Sequence, residues 1–124
     1  MKKIIAALVF LFCASLTSAH GPDSIRIETD IAKSKLKVYV SHKVKDAAQH
    51  FIYKIELKVN GKKAISQDAV TQTGMTEQAV IYVIPGLKAG DKIEIYAECN
   101  KGGDMKKTFT AENTEKKEEK TEKK

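Results

Sequence analysis

Between Ser24 and Ala111 apolar residues recur at every second position: Ile25 and Ile27, then Leu36, Val38 and Val40, then Phe51, Tyr53, Ile55, Leu57 and Val59. A period of two sets one side of an extended chain against a core and the other toward water, so this body folds as half-buried strands. No stretch of it carries the 3.6-residue period of a useful helix, and no internal repeat is visible. Asn60-Gly61 divides two such runs. Both residues tolerate the positive φ of a type I′ turn, which sends the chain back through Lys62 to Gln67. Val80 to Ile84 makes a further strand, Pro85-Gly86 and Ala89-Gly90-Asp91 make turns, and Ile93, Ile95 and Ala97 lead into Cys99. After a turn over Asn100 to Asp104, Met105 to Ala111 closes the set. About seven short, turn-punctuated strands in roughly 90 residues predict an all-β, immunoglobulin-like sandwich.

The ends of the chain have another character. Lys2 and Lys3 precede an apolar run from Ile4 to Ala14, shorter than the ~20 residues that span a bilayer. It reads as a secretory signal peptide over residues 1–19, with cleavage after Ala19 and a mature chain beginning at His20. Bulky Phe12 before Cys13 disfavours a lipid-acylation signal, so Cys13 leaves with the leader. A periplasmic or secreted protein without a stable membrane span is expected. The domain then covers 20–111, and 112–124 forms a tail whose five Glu and five Lys cancel. With no apolar residue to bury, that tail is expected to be disordered.

The formal charge of +6 falls to +4 once Lys2 and Lys3 are removed, and all of that surplus lies in the sandwich. No aromatic residues interleave with the basic ones and no groove-reading motif is present, so the balance points to small anions or protein partners and not to nucleic acid. The absence of Trp and an aromatic share of 6% exclude a large aromatic pocket. No Ser-His-Asp set, phosphate loop or paired carboxylate signature supports a hydrolase or a kinase.

The mature chain holds three histidines and one cysteine: His20, His42, His50 and Cys99. An unpaired cysteine in an exported protein is a metal ligand, a reactive thiol, a partner-bonded residue or simply a small buried side chain. If successive strands alternate in direction, His42 ends the second strand, His50 begins the third, Cys99 ends the sixth and His20 precedes the first. All four then meet at one end of the sandwich. Imidazole and thiolate together suit iron, copper or zinc and not calcium or magnesium, which take oxygen ligands. Strand parity speaks against His50, which falls opposite the Phe51, Tyr53, Ile55 face if the strand is already regular there.

At these residues the chain resembles a known family. Val40-Ser41-His42, His50-Phe51-Ile52, Ile55-Glu56-Leu57, Asn60-Gly61-Lys62 and Ala97-Glu98-Cys99-Asn100 are similar to the ferrous iron-binding domain of desulfoferrodoxin and the neelaredoxin-type superoxide reductases. The resemblance spans roughly residues 24 to 110 and implies an immunoglobulin-like sandwich whose iron, held by four His and one Cys, keeps an open position where superoxide is reduced. It implies His42, His50 and Cys99 as ligands, with His20-Gly21-Pro22 matching the remnant of the N-terminal ligand motif. Lys43 and Lys101 are the cations expected near such a site. The chain departs from the family at one ligand: the Cys-Asn-x-His-Gly motif has its last histidine where this chain has Gly102. Four of five ligands then remain, and Gly102→His is expected to restore the fifth if the turn accepts a side chain.

A second resemblance competes. Ser41-His42, His50-Phe51-Ile52, Asn60-Gly61-Lys62, Gly90-Asp91-Lys92-Ile93 and Asn100 to Asp104 are similar to SoxZ, a sandwich subunit that binds no metal and supports a sulfur-carrying partner protein in thiosulfate oxidation. In SoxZ, however, Pro follows the first histidine and a longer segment precedes the second. Copper is a third reading: cleavage before His20 sets a free amine beside an imidazole, and Met105 offers a soft sulfur.

Overall fold

The computed structural model describes residues 20–114, so the expected leader and most of the tail lie outside the described residues. Seven strands form: β1 (Ser24–Asp30), β2 (Lys35–Ser41), β3 (Ile52–Val59), β4 (Lys62–Asp68), β5 (Glu77–Val83), β6 (Lys92–Cys99) and β7 (Asp104–Thr110). They pair antiparallel throughout in two sheets, β1-β2-β5 and β4-β3-β6-β7. This is the predicted all-β immunoglobulin-like sandwich, with its fourth strand beside β3. No helix occurs among the described residues, and none there is long and apolar enough to cross a membrane.

The alternation works as expected in β2 and β6, where every second residue is buried. Leu36, Val38 and Val40 from one sheet meet Ile93, Ile95, Ala97 and Cys99 from the other in a single core. Asn60 and Gly61 take φ of 51° and 82°, the pair of positive values that a type I′ hairpin demands.

β3 departs from the simple pattern. Its register against β6 slips between Ile52 and Lys54, a bulge that leaves Tyr53 without a ladder partner and reverses which face points inward. Ile52, Ile55 and Leu57 are buried, whereas Phe51 and Tyr53 are only half-buried. The expected inward row of Phe51, Tyr53, Ile55, Leu57 and Val59 is therefore corrected in its first two members. A uniform period cannot register one inserted residue, and here the insertion brings Ile52 opposite Cys99.

The chain beyond β7 returns to the edge of β1. Thr29 N–H donates to Thr114 Oγ1 at 2.6 Å, Ile31 N–H donates to Asn113 Oδ1 at 2.8 Å, and Thr114 N–H donates to Thr29 O at 3.0 Å. These bonds cover backbone groups at the far end of an edge strand that would otherwise be open to pairing with another chain.

Candidate metal centre

The antiparallel order carries the ends of β2 and β6 and the beginnings of β1, β3, β5 and β7 to one end of the sandwich. His42 follows directly on β2, where His42 N–H donates to Thr76 O at 2.9 Å and Val44 N–H to Met75 O at 2.8 Å, continuing the pairing beyond the strands. Its imidazole is fully buried. Cys99 is the last residue of β6, 1% exposed, facing the core with a free thiol.

His50 belongs to neither face of β3, because it sits in a turn ahead of the strand. Asp46 builds that turn: its carbonyl accepts from Gln49 N at 3.2 Å and His50 N at 2.9 Å, and its Oδ1 accepts from Ala48 N at 3.0 Å. Asn100 then joins the turn to β6. Its Nδ2 donates to Gln49 O at 3.0 Å, its Oδ1 accepts from Phe51 N at 3.0 Å, and its own N–H donates to Phe51 O at 3.0 Å. Three bonds from one residue thus set the distance between His50 and its neighbour Cys99, and the parity objection to His50 falls away.

His20 is seated by two glycines. The backbone at Gly21 crosses that at Gly103 so closely that a Cβ on Gly103 would lie 2.6 Å from Gly21 Cα, and one on Gly21 would lie 2.8 Å from Gly103 C. Gly103 also has φ of 92°, a value that side chains with a Cβ rarely adopt. The crossing leaves the His20 ring with its centroid 4.9 Å from that of His42 and 5.4 Å from that of His50.

One ligand atom each from His42, His50 and Cys99 lies within 4.8 Å of the other two. His20 adjoins this trio without being one of its three mutually close donors. The expected convergence of three histidines and the cysteine is present, as a tight trio with the fourth group at its rim. His50 Nε2 stands 3.1 Å from Cys99 Sγ, and the Lys101 N–H points at the same sulfur at 3.4 Å. In the metal-free chain the 3.1 Å spacing is a hydrogen bond, and it leaves the two atoms near enough for one ion to draw on both. Burial, and then the charges of His42, His20 and Lys101, lower the His50 pKa, against a backbone hydrogen bond at His20 that raises it. The balance favours the neutral imidazole, the form that ligates.

The surroundings of His42 provide a direct test of fit. Its Nδ1 meets Gln72 Oε1 at 2.9 Å and its Nε2 meets the His20 carbonyl at 3.0 Å. Gln72 Nε2 donates to His42 O and to Gly74 O, each at 2.8 Å, so the opposite atom of that amide is an acceptor. Both ring nitrogens therefore face acceptors, whereas a neutral imidazole has one N–H. With the proton at Nδ1, the Nε2 lone pair is turned toward another lone pair inside the cluster. A second proton on the ring or a metal cation removes that conflict, and imidazole nitrogen with thiolate is a donor set for iron, copper or zinc.

Gly102, where the resembled family has histidine, has φ of 104°, and no atom lies within 4 Å of where its Cβ would stand. The space is open but the backbone angle opposes a side chain, so the condition set on Gly102→His is met in volume and opposed by strain of roughly a kcal/mol or more. Met105 pairs with Ala97 and packs on the core as part of β7. Lys101 acts on His50 by its charge, and Lys43 is exposed. Gln72 and Asp46 were not legible as site residues, because a glutamine in a polar loop and an aspartate in a turn carry no spacing signal.

No protein-family model matches the sequence, and no curated protein sequence matches it. Among solved structures, a hypothetical protein from Pyrococcus horikoshii aligns with a TM-score of 0.46 at 20% identity, over 72% of this chain and 84% of its own. A superoxide reductase in the oxidized state aligns with a TM-score of 0.46 at 20% identity, over 77% of this chain and 91% of its own. A superoxide reductase (neelaredoxin) from Ignicoccus hospitalis aligns with a TM-score of 0.44 at 19% identity, over 79% of this chain and 86% of its own.

Proposed function

We propose that this chain is an exported iron-binding protein of the superoxide reductase type, with a reduced ligand set: His42, His50 and Cys99, and His20 beside them. The observation that carries the reading is the convergence of two imidazoles and the only cysteine of the described residues from three separate elements. The motif resemblance supports iron over copper, and the leader at 1–19 supports a periplasmic or secreted location.

The chemistry a ferrous ion brings to such a site is one-electron reduction of superoxide to hydrogen peroxide, with uptake of two protons. The chain's own contribution is graded burial. His42 and Cys99 close the floor, with Cys99 kept from solvent and its sulfur met by the Lys101 N–H. His20 and His50 are partly exposed, so a small anion approaches from their side. Lys101, whose charge is felt at His50, draws that anion in. Gly102 supplies no ligand, so weak retention of iron and low activity are expected.

Anaerobic titration of untagged protein with ferrous iron tests the reading. One equivalent is expected to bind, and Cys99→Ser to lower the affinity by more than the ~10–100-fold that loss of an outer partner costs, with the sandwich still folded by circular dichroism. Absence of ferrous binding in the folded wild type, or equal affinity in the variant, overturns it. Intact mass is expected to show a chain beginning at His20; retention of residues 1–19 in exported material removes the proposed location.

A further inference from the structure

The four hydrogen bonds of one buried side chain assign a role to a residue outside the ligand set. We propose that Gln72 is a positioning residue that fixes the tautomer of His42, holding the proton on Nδ1 and leaving Nε2, which faces the His20 carbonyl at 3.0 Å, as the bare nitrogen of the ring. Gln72 lies between β4 and β5 and is 4% exposed. Its Nε2 donates to His42 O and Gly74 O at 2.8 Å each, while its Oε1 accepts from Ile52 N at 3.2 Å and faces His42 Nδ1 at 2.9 Å. Both N–H bonds and both lone pairs are thus engaged, and rotating the amide by half a turn sets like against like at the two carbonyls and at Ile52 N–H, which fixes Oε1 as the atom facing His42 Nδ1.

The backbone carries the same lock to the rest of the fold. Gln72 N–H donates to Ala47 O at 3.2 Å, in the segment that holds His50. Gln78, also buried, braces the neighbouring chain by donating to Ile52 O at 3.0 Å and Thr71 O at 2.9 Å. Because Gln72 touches His42 at both its carbonyl and its ring, it sets ring orientation and proton position together. In its absence the His20 carbonyl, 3.0 Å from Nε2, is the acceptor left to the ring, and the proton moves to Nε2. The consequence for affinity rests on the metal-binding reading; the tautomer does not.

Proton–nitrogen correlation spectra of the histidine side chains, recorded on the full metal-free chain at about pH 8, where free imidazole is neutral, read the tautomer directly. The wild type is expected to carry the His42 proton on Nδ1, Gln72→Leu on Nε2, and Gln72→Glu, which keeps an acceptor but loses both donors, on Nδ1 again. Ferrous affinity is expected to fall ~10–100-fold in Gln72→Leu and to recover in part in Gln72→Glu even though that variant is less stable. A wild-type proton on Nε2, or an unchanged tautomer in folded Gln72→Leu, overturns the proposal. Should Gln72→Leu fail to fold, the wild-type spectrum decides alone. A wild type that binds no iron yet holds the proton on Nδ1 defeats the metal reading and leaves the lock standing, whereas iron binding with the proton on Nε2 defeats the lock alone.

Discussion

The two ends of the sandwich each bury a polar cluster, and they are built on opposite principles. At the far end Asp91, 4% exposed, has a partner for each oxygen: Asn60 Nδ2 at 3.0 Å on Oδ1 and Lys88 N–H at 3.0 Å on Oδ2, with Lys88 Nζ 3.3 Å from Oδ1. Asn60 in turn accepts from Lys92 N at 2.9 Å. Every donor there meets an acceptor, and the network does no more than tie the β3–β4 hairpin to the start of β6. At the near end His42 Nε2 faces a carbonyl and His50 faces a sulfur. The far end holds amide, ammonium and carboxylate groups that complement one another, while the near end gathers imidazole nitrogens and a thiol, groups that hydrogen-bond to one another in the free chain and can also ligate a metal.

The sharpest way to break this comparison is to remove one residue from each end. Asp91→Ala is expected to lower the thermal midpoint by several degrees and leave ferrous affinity untouched. Cys99→Ser is expected to do the reverse, with its affinity loss exceeding ~100-fold. Titration and thermal unfolding of both variants check it, and loss of affinity in Asp91→Ala would merge the two ends into one cooperative unit.

Gly103→Ala probes the seat of His20 without altering any donor. The new methyl meets Gly21 Cα at 2.6 Å on a backbone at φ of 92°, so a cost of ~1–3 kcal/mol is expected. Weaker iron binding should accompany it, because the segment carrying His20 is pushed away. Denaturant unfolding gives the first number and titration the second.

Acid separates the ends by pH. Hydrogen bonds, first that from Asn60 and then that from Lys88 N–H, hold the Asp91 pKa below its ordinary 3.8 against the opposing effect of burial. Its contribution is therefore complete above that value and is lost as pH falls through the depressed pKa. Burial chiefly lowers the His50 pKa from 6.5, so the neutral state that the fold prefers is destabilised as pH falls below 6.5. Metal-free protein is expected to lose stability in two windows on acidification. His50→Asn should abolish the upper window and Asp91→Asn the lower, as read from unfolding midpoints across pH.

The smallest expected effect lies on the outer face of the four-stranded sheet. Lys63 and Glu56 approach to 3.3 Å while both remain partly exposed. Lys63→Ala should change stability by ~0–1 kcal/mol and affinity not at all.

Much of this was written in the linear pattern. Alternation determined the strands, Asn60-Gly61 the hairpin, and the placement of His42, His50 and Cys99 at strand ends determined that they meet, because an antiparallel order maps strand parity onto one end of the molecule or the other. Composition placed the start of the charged tail at 112, yet Asn113 and Thr114 bond to the backbone of Thr29 and Ile31, because polar side chains join an open strand edge without needing a core. Tertiary structure alone decided what periodicity cannot encode. The bulge at Tyr53 set Ile52 against Cys99, the positive φ at Gly102 put strain on any side chain there, the Gly21 and Gly103 crossing seated His20, and the fold brought the Gln72 amide against the His42 ring. Each depends on a contact between segments distant in sequence or on a backbone angle the turn imposes, and a side chain's hydrogen-bonding partner is chosen by what the fold brings within about 3 Å of it.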